Sequence, residues 1–299
     1  MTARIIVVGS LNMDVVCRVA RAPAAGETVL GESASFVPGG KGANQAVACA
    51  RLGAVVRMIG RVGPDAFGAR LREGLSAEGI DVARVGVDTE ATSGVALILV
   101  EADGQNRITV AAGANARLTP AHVVAAAADW PRGGLLLAQL ETPLDTIAAA
   151  IEAAHEAGLR VVLNPAPAQP LPAAWWRRID LLVPNETEAA LLTGLPVGDV
   201  SGAISAAREL RRRGVHHVLL TLAERGVLLA DADGERVIPA PRVQVVDTTA
   251  AGDTFIGALA VALGEGLDLD AAAAFGVRAA SLSVTRPGAQ SSIPHRSEL

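Results

Sequence analysis

The chain of 299 residues predicts an α/β protein: a three-layer α/β/α fold around a mostly parallel sheet, with a small β-sheet lid. Three observations lead there. Apolar runs of strand length alternate with helical patterns along most of the chain, as parallel strands joined by helical crossovers do. Helices of this length between strands cover both faces of one sheet. Two stretches, 15–36 and 94–111, break that rhythm with weak alternation and turn residues, and read together as a lid over one end of the core.

The elements follow in order. Residues 4–9 read as a buried strand, 42–52 as a helix closed by Gly53, 54–59 as a strand, and 64–78 as a helix stopped at Gly79. The first lid stretch carries Pro23 and Gly26; the second reads strand, turn, strand, with its turn at 102–105. Both suggest antiparallel structure. Residues 135–137 form a strand, 145–157 a helix ending at Gly158, 160–164 a strand and 179–183 another. A helix over 186–193 stops at Gly194; 201–213 is a helix and 216–222 a strand. A hairpin, 226–230 with 235–238, turns through 231–234 at the core edge, and an apolar helix covers 256–263. The expected division is a core of 1–11, 40–91 and 114–299, and a lid of 12–39 and 92–113.

Composition narrows the function. Hydrophobic residues at 51% against 19% charged exclude disorder. The longest uncharged stretch, 161–176, holds four prolines, so no segment suits a membrane-spanning helix of about 20 apolar residues. The N-terminal apolar run is too short for a signal peptide, so a cytoplasmic protein is expected. A net charge of −5, 2% aromatics and no Tyr argue against nucleic-acid binding. The run Arg211-Arg212-Arg213 before Gly214 suits a helix C-terminus. Cys17 and Cys49 have no metal-type spacing and read as reduced, packed side chains; the histidines are scattered, and Trp175-Trp176 read as local packing.

Of 26 basic residues only Lys41 is a lysine, and it stands between glycines. A compact ammonium in a tight site explains that better than chance. The strongest chemical signal is Asp247-Thr248-Thr249-Ala250-Ala251-Gly252-Asp253-Thr254-Phe255 ahead of an apolar helix. Small residues let a ligand approach the backbone, and a helix start offers free N–H groups to an anion. Asp253 is either the N-cap or a base beside that anion hole; together these features favour phosphoryl transfer. No G-x-x-x-x-G-K-[ST] and no G-x-G-x-x-G is present. Asn12 and Asp14 after the first strand, with Gly40, Lys41 and Asn44 opening the next helix, suit a polyol, or else serve turns. Glu141, Asn164 and Asn185 end further strands, and Asn185 or Thr187 with Glu188 forms either a cap or part of a magnesium site.

These residues resemble the ribokinase/PfkB carbohydrate kinase family over nearly the whole chain. The matching segments are Gly9 to Asp14, GGKGANQA from Gly39, Gln139-Leu140-Glu141, Asn164-Pro165-Ala166-Pro167, NETE from Asn185, DTTAAGDTF from Asp247 and TRPGAQSSIP from Thr285; GGKGANQA and GAQ are similar to its ribokinase branch. The resemblance implies ATP-dependent phosphorylation of the ribose 5-hydroxyl. Asp253 would be the base, with the anion hole at Ala250, Ala251 and Gly252. Asn12, Asp14, Gly40, Lys41, Asn44, Glu141 and Asp253 would hold ribose. ATP would contact Asn185, Thr221, Leu222, Ala223, Glu224, Arg225, Gly226, Gly252 and Val277, with Glu188 near Mg²⁺. An activating K⁺ would sit at Asp247, Thr249, Ser283, Arg286, Gly288 and Ser292, mostly on carbonyls, and a homodimer would form through the lid. Ala223 replaces a usual Gly, Val277 a frequent polar residue and Ser283 a frequent Ala. A deoxyribose, fructose or nucleoside kinase is the alternative, and a non-catalytic sugar-binding regulator a remoter one. Phe36 as the lid's one aromatic favours a bare sugar over a nucleoside.

Overall fold

A computed structural model describes residues 2–102 and 105–299. Asp103 and Gly104 of the expected lid turn, and Met1, lie outside the described residues. The main sheet has nine strands in the order β13-β12-β11-β10-β9-β8-β1-β4-β5. These are β1 Arg4–Val8, β4 Val55–Val62, β5 Asp81–Val87, β8 Leu135–Ala138, β9 Arg160–Leu163, β10 Leu181–Leu182, β11 His217–Thr221, β12 Val227–Asp231 and β13 Gly234–Ile238. Only the β12 and β13 pairings are antiparallel.

Both faces of this sheet are buried, which explains the uninterrupted apolar runs. In β1, Ile5 and Val7 join one core while Ile6 and Val8 join the other; Leu135 and Leu137 of β8 divide from Leu136 and Ala138 in the same way. Helices α1 Lys41–Arg51, α2 Ala66–Ala77, α7 Ala251–Glu265 and α8 Leu269–Ser283 cover the first face. The second is covered by α3 Pro120–Ala127, α4 Leu144–Ala157, α5 Glu186–Thr193 and α6 Val200–Arg212. Helix ends follow local chemistry. Asp65, Asp199 and Asp268 cap α2, α6 and α8, and Gly158 and Gly194 end α4 and α5 in the left-handed region.

The lid is a four-stranded sheet, β3-β2-β6-β7, of β2 Asn12–Val19, β3 Gly31–Gly39, β6 Gly94–Val100 and β7 Asn106–Ala111. It is not wholly antiparallel as expected: β2 and β6 pair in parallel. Both leave the same end of the parallel core, β2 after β1 and β6 after β5, so they start in one direction. Cys17, expected to be packed, is half-exposed on β2, whereas Cys49 is buried. Trp175 and Trp176 are buried, with the Arg213 guanidinium over Trp176. Among the described residues no helix is long and apolar enough to cross a membrane.

Candidate active site

Strand β1 lies where the chain changes direction across the sheet: β4 and β5 extend to one side of it, and β8 onward to the other. Ligands of open α/β sheets settle outside the carboxyl ends at such a point. Two segments leave there, residues 9–12 after β1 and 139–141 after β8. They are tied together by the Ser10 hydroxyl, which donates to Glu141 Oε2. The Lys41 backbone N–H donates to the same oxygen at 3.1 Å. Gly40 has φ of +90°, and a Cβ there would press on the backbone of residues 10–12, so α1 begins hard against the end of β1.

Asn12 and Asp14 stand on β2 above this junction, both buried. Sequence reasoning missed Asn115, which is buried and donates from Nδ2 to Asn12 Oδ1 at 2.8 Å and to the Leu11 carbonyl at 3.0 Å. That contact turns the Asn12 amide so that its own donor remains for a ligand. Burial, with Glu141 and Asp253 adding repulsion, pushes the Asp14 carboxyl up to about 7.

Helix α7 closes the site from below. Its N-cap is Ala250, in the left-handed region at φ of 60°, with no side-chain cap. Asp253 is therefore not the cap. It is the third helical residue, buried, and its side chain points at α1: Asn44 Nδ2 donates to Oδ2 and Gln45 Nε2 to Oδ1, each at 3.0 Å. Burial raises the Asp253 pKa; Lys41 and the two amides oppose this without cancelling it, and Glu141 adds to the rise. Burial pulls the Lys41 ammonium down, but Asp253, Glu141 and Glu188 outweigh it and the net direction is up. The single lysine is thus the positive charge among three carboxylates. Gly252 faces open space, and a Cβ there would meet no protein atom. The Ala251 N–H turns back to the Thr248 carbonyl at 3.2 Å, at the long end of the usual range.

Two cavities meet at this tip. A recess of about 220 Å³ is lined by Lys41, Asn164, Asn185, Glu188 and residues 250–253 among others. A cleft of about 820 Å³ shares Asn185, Thr221, Thr248, Ala251 and Gly252 with it and continues past Ala223, Glu224, Gly226 and Val277. Val243, Phe255 and Ala280, which the sequence did not single out, supply apolar wall. Leu222 and Arg225 depart from expectation. Leu222 is fully buried in the second core, and Arg225 is drawn to Glu186, so neither lines the cleft. Ala223, in place of a glycine, holds φ of 50°, a conformation that strains an L-residue.

Asn185, not Thr187, caps α5, and Glu188 completes the box by accepting from the Asn185 N–H at 2.8 Å and Nδ2 at 3.0 Å. Glu188 also faces the recess, so capping and ligand contact are compatible. Among the described residues no three His, Cys, Asp or Glu side chains gather as a metal cage. A single carboxylate beside an anion site still fits Mg²⁺, which keeps most of its water. Behind the tip, Asp247 Oδ1 accepts from Thr249 N and Oγ1 at 2.9 and 2.6 Å, and Oδ2 accepts from Gly288 N at 2.8 Å. The Ser283 carbonyl accepts from Arg286 N at 3.1 Å, while the Arg286 side chain turns to Glu298. Ser292 is buried in the adjoining turn.

A family model described as pfkB family carbohydrate kinase matches residues 2–296. The chain belongs to the pfkB family of carbohydrate kinases. Within that family, a ribokinase of Haemophilus influenzae is 43% identical over 98% of this chain and 95% of its own length. A deoxyribokinase of Salmonella typhi is 40% identical over 97% and 95%. A solved ribokinase of Arabidopsis thaliana complexed with ribose and ATP is 34% identical, covers 99% of this chain and 97% of its own, and superposes with a TM-score of 0.90. The three-layer core and β lid are those of this pfkB-family structural relative.

Proposed function

We propose that the protein transfers the terminal phosphoryl group of ATP to the 5-hydroxyl of D-ribose, giving ribose 5-phosphate and ADP. The observation that carries this reading is the buried Asp253 carboxylate one turn from an unobstructed helix tip, with Lys41 between them and the sugar cluster. Asp253 takes the hydroxyl proton as that oxygen bonds to phosphorus and the bond from phosphorus to the ADP oxygen breaks. The N–H groups of Ala250, Ala251 and Gly252 face the charge on the transferred group. Asn12, Asp14, Gly40, Lys41, Asn44 and Glu141 hold the ribose. Asn44 Oδ1 is buried without a partner and suits a sugar hydroxyl. The nucleotide occupies the 820 Å³ cleft, its base near Val277. Mg²⁺, when bound, offsets phosphate charge, and Glu188 fits it through water.

A coupled ADP assay over ribose, 2-deoxyribose, fructose and ribonucleosides tests the reading. Ribose is expected to give the highest kcat/KM. A preference for 2-deoxyribose would favour the second reading that the Salmonella relative suggests.

The core of 1–11, 40–91 and 114–299 carries the chemistry, and the lid of 12–39 and 92–113 carries Asn12 and Asp14. Two copies pair through the lid, whose Leu97, Ile108 and Val110 are exposed; sedimentation of the purified protein checks this. A monovalent cation at Asp247, Thr249, Ser283, Arg286, Gly288 and Ser292 steadies the loop before Asp253. Activity should rise when K⁺ or Cs⁺ replaces Na⁺, because larger ions suit a carbonyl cage. Equal rates in all three salts would remove the cation.

Gly252→Ala separates ligand space from folding. The added methyl meets no protein atom, and alanine favours helix by up to about 1 kcal/mol, so Tm should hold or rise slightly. In the ligand's path it should lower kcat/KM for ATP by about 100-fold, as misplacement by about 1 Å does. Full activity in Gly252→Ala would place the phosphates elsewhere.

A further inference from the structure

Behind the Asp253 carboxylate lies a chain of buried side-chain amides that the proposed chemistry does not use. Gln45 Nε2 donates to Asp253 Oδ1 at 3.0 Å. On its other side, Gln45 Oε1 accepts from Gln139 Nε2 at 2.6 Å. Gln45 and Gln139 are both fully buried, at 0% exposure. Asn164 stands beside them: its Oδ1 is 3.4 Å from Gln45 Nε2, and its Nδ2 donates to the Val183 carbonyl at 3.0 Å.

The polarity of this chain has one consistent arrangement. An ionised carboxylate only accepts, so Gln45 must present its NH₂ to Asp253. Its oxygen then faces Gln139, which must present NH₂ in turn. A Gln45 amide turned over would set oxygen against carboxylate and NH₂ against NH₂. Asp253 Oδ1 and Asn164 Oδ1, the latter oriented by its Nδ2 bond to the Val183 carbonyl, both require the Gln45 NH₂, and Gln139 completes the arrangement by donating to Gln45 Oε1.

The backbone is built to bring these groups together. A Cβ on Gly9 would strike the Gln139 side-chain oxygen, so the glycine after β1 leaves Gln139 its room. Helices α1 and α7 approach closely at Gly257, where a Cβ would meet Ala48 Cβ and come within 3.1 Å of the Gln45 carbonyl. Gly257 lies one turn after Asp253, so this crossing sets Gln45 under the carboxylate. Lys41, Asn44 and Gln45 share a face of α1 at spacing i, i+3, i+4.

We propose that Gln45, oriented by Asn164 and backed by Gln139, is a positioning residue that aims the Asp253 carboxylate at the acceptor hydroxyl. This rests on the reading of Asp253 as the base. Gln45 does not touch substrate; it acts by holding one carboxylate oxygen while the other lone pairs stay free for the proton. As a donor to the ionised form it also lowers the Asp253 pKa, alongside Asn44 and the Lys41 ammonium and against Glu141. Glu188 and Asp14 also face Asp253, from α5 and β2. Asp14 titrates at about 7 and burial raises Glu188, so both contribute to the limb in parent and variant alike, and the difference between the two profiles reports Gln45.

The test uses Gln45→Met, Gln139→Met, the double variant and Asp253→Asn, with kcat, ribose KM and the pH profile of kcat measured for each. Gln45→Met keeps the volume and removes the donor. Its kcat should fall about 10–100-fold, a part of the 10²–10⁴-fold that a positioned base supplies, with ribose KM within about threefold of the parent. The acidic limb of kcat should move up by about one pH unit, because the ionised carboxylate has lost a donor. Gln139→Met should shift kcat and the limb in the same direction by less, and add nothing to Gln45→Met in the double variant, since it acts through Gln45. Gln139→Met also reports on its own should Gln45→Met fail to fold. A fall in kcat with an unmoved acidic limb, or additive effects in the double variant, would overturn the proposal as ordinary packing. Asp253→Asn inactive beside a parent-like Gln45→Met would remove this inference alone. An active Asp253→Asn would remove the base, and the inference with it.

Discussion

Asp253→Asn should leave a folded protein that binds ribose and turns over about 1,000-fold more slowly. The estimate comes from the range of about 10²–10⁴ for a positioned base in proton transfer. The loss should fall on kcat, because Asn12, Asp14, Lys41 and Glu141 remain to hold the sugar. Of Asn44 and Gln45, which donate to the carboxylate, one keeps an amide oxygen and the other loses its acceptor. The pH profile gives the second readout. Burial holds the Asp253 pKa above the ordinary carboxylate range, so the parent should lose kcat as pH falls while still above that range. Residual activity in Asp253→Asn should lack that limb. Turnover within tenfold of the parent would defeat the base role.

Asp14→Asn should stabilise the protein and cripple sugar binding together. The folded carboxyl titrates at about 7 against an unfolded value of 3.8. Between those values the native state binds the extra proton, so the contribution of Asp14 is most favourable below the unfolded value and is lost as pH rises through about 7. Asn carries no such charge. Its advantage over Asp should therefore be smallest below the unfolded value of 3.8, reach about 1.6 kcal/mol by pH 5 and widen by pH 8 to at most about 4 kcal/mol, at 1.36 kcal/mol per pKa unit. Tm curves at the two pH values check the sign; an advantage independent of pH would contradict it. Ribose KM should rise about 10–100-fold with the loss of a charged hydrogen bond.

The core was legible because its strands carry their burial in their composition. Strand β8 is apolar throughout, β1 and β9 are apolar after a leading Arg, and glycines mark where α4 and α5 end. Three elements escaped. Strand β5, Asp81–Val87, is charged and half-exposed at the sheet edge and lacks an apolar run. Helix α3 announces itself only through Thr119, Pro120 and His122, a capping arrangement without the usual Glu or Gln. Helix α8 is rich in alanine, which blurs apolar periodicity. The parallel pairing of β2 with β6 joins segments far apart in sequence, and no local pattern encodes it.

At the site, the residues that short motifs bring together were readable. The DTTAAGDTF segment supplies the α7 tip, and GGKGANQA the start of α1. Asn115 was not readable, because a lone Asn two residues past Gly113 looks like a turn. Its role arises from a contact across more than a hundred residues. The α1 spacing of Lys41, Asn44 and Gln45 was the signal available for Gln45. Leu222 and Arg225 were expected at the cleft as parts of one continuous loop, but they flank Ala223 and Glu224, which do line it, and turn into the core and toward Glu186.

A crystal structure with ribose and a non-hydrolysable ATP analogue tests the central claim most directly. The terminal phosphate oxygens should lie within hydrogen-bond reach, about 3 Å, of the N–H groups at the α7 tip, with the ribose 5-hydroxyl on the Asp253 carboxylate and in line with the phosphorus. A phosphate held elsewhere in the cleft, or a ribose that turns another hydroxyl to Asp253, would contradict it.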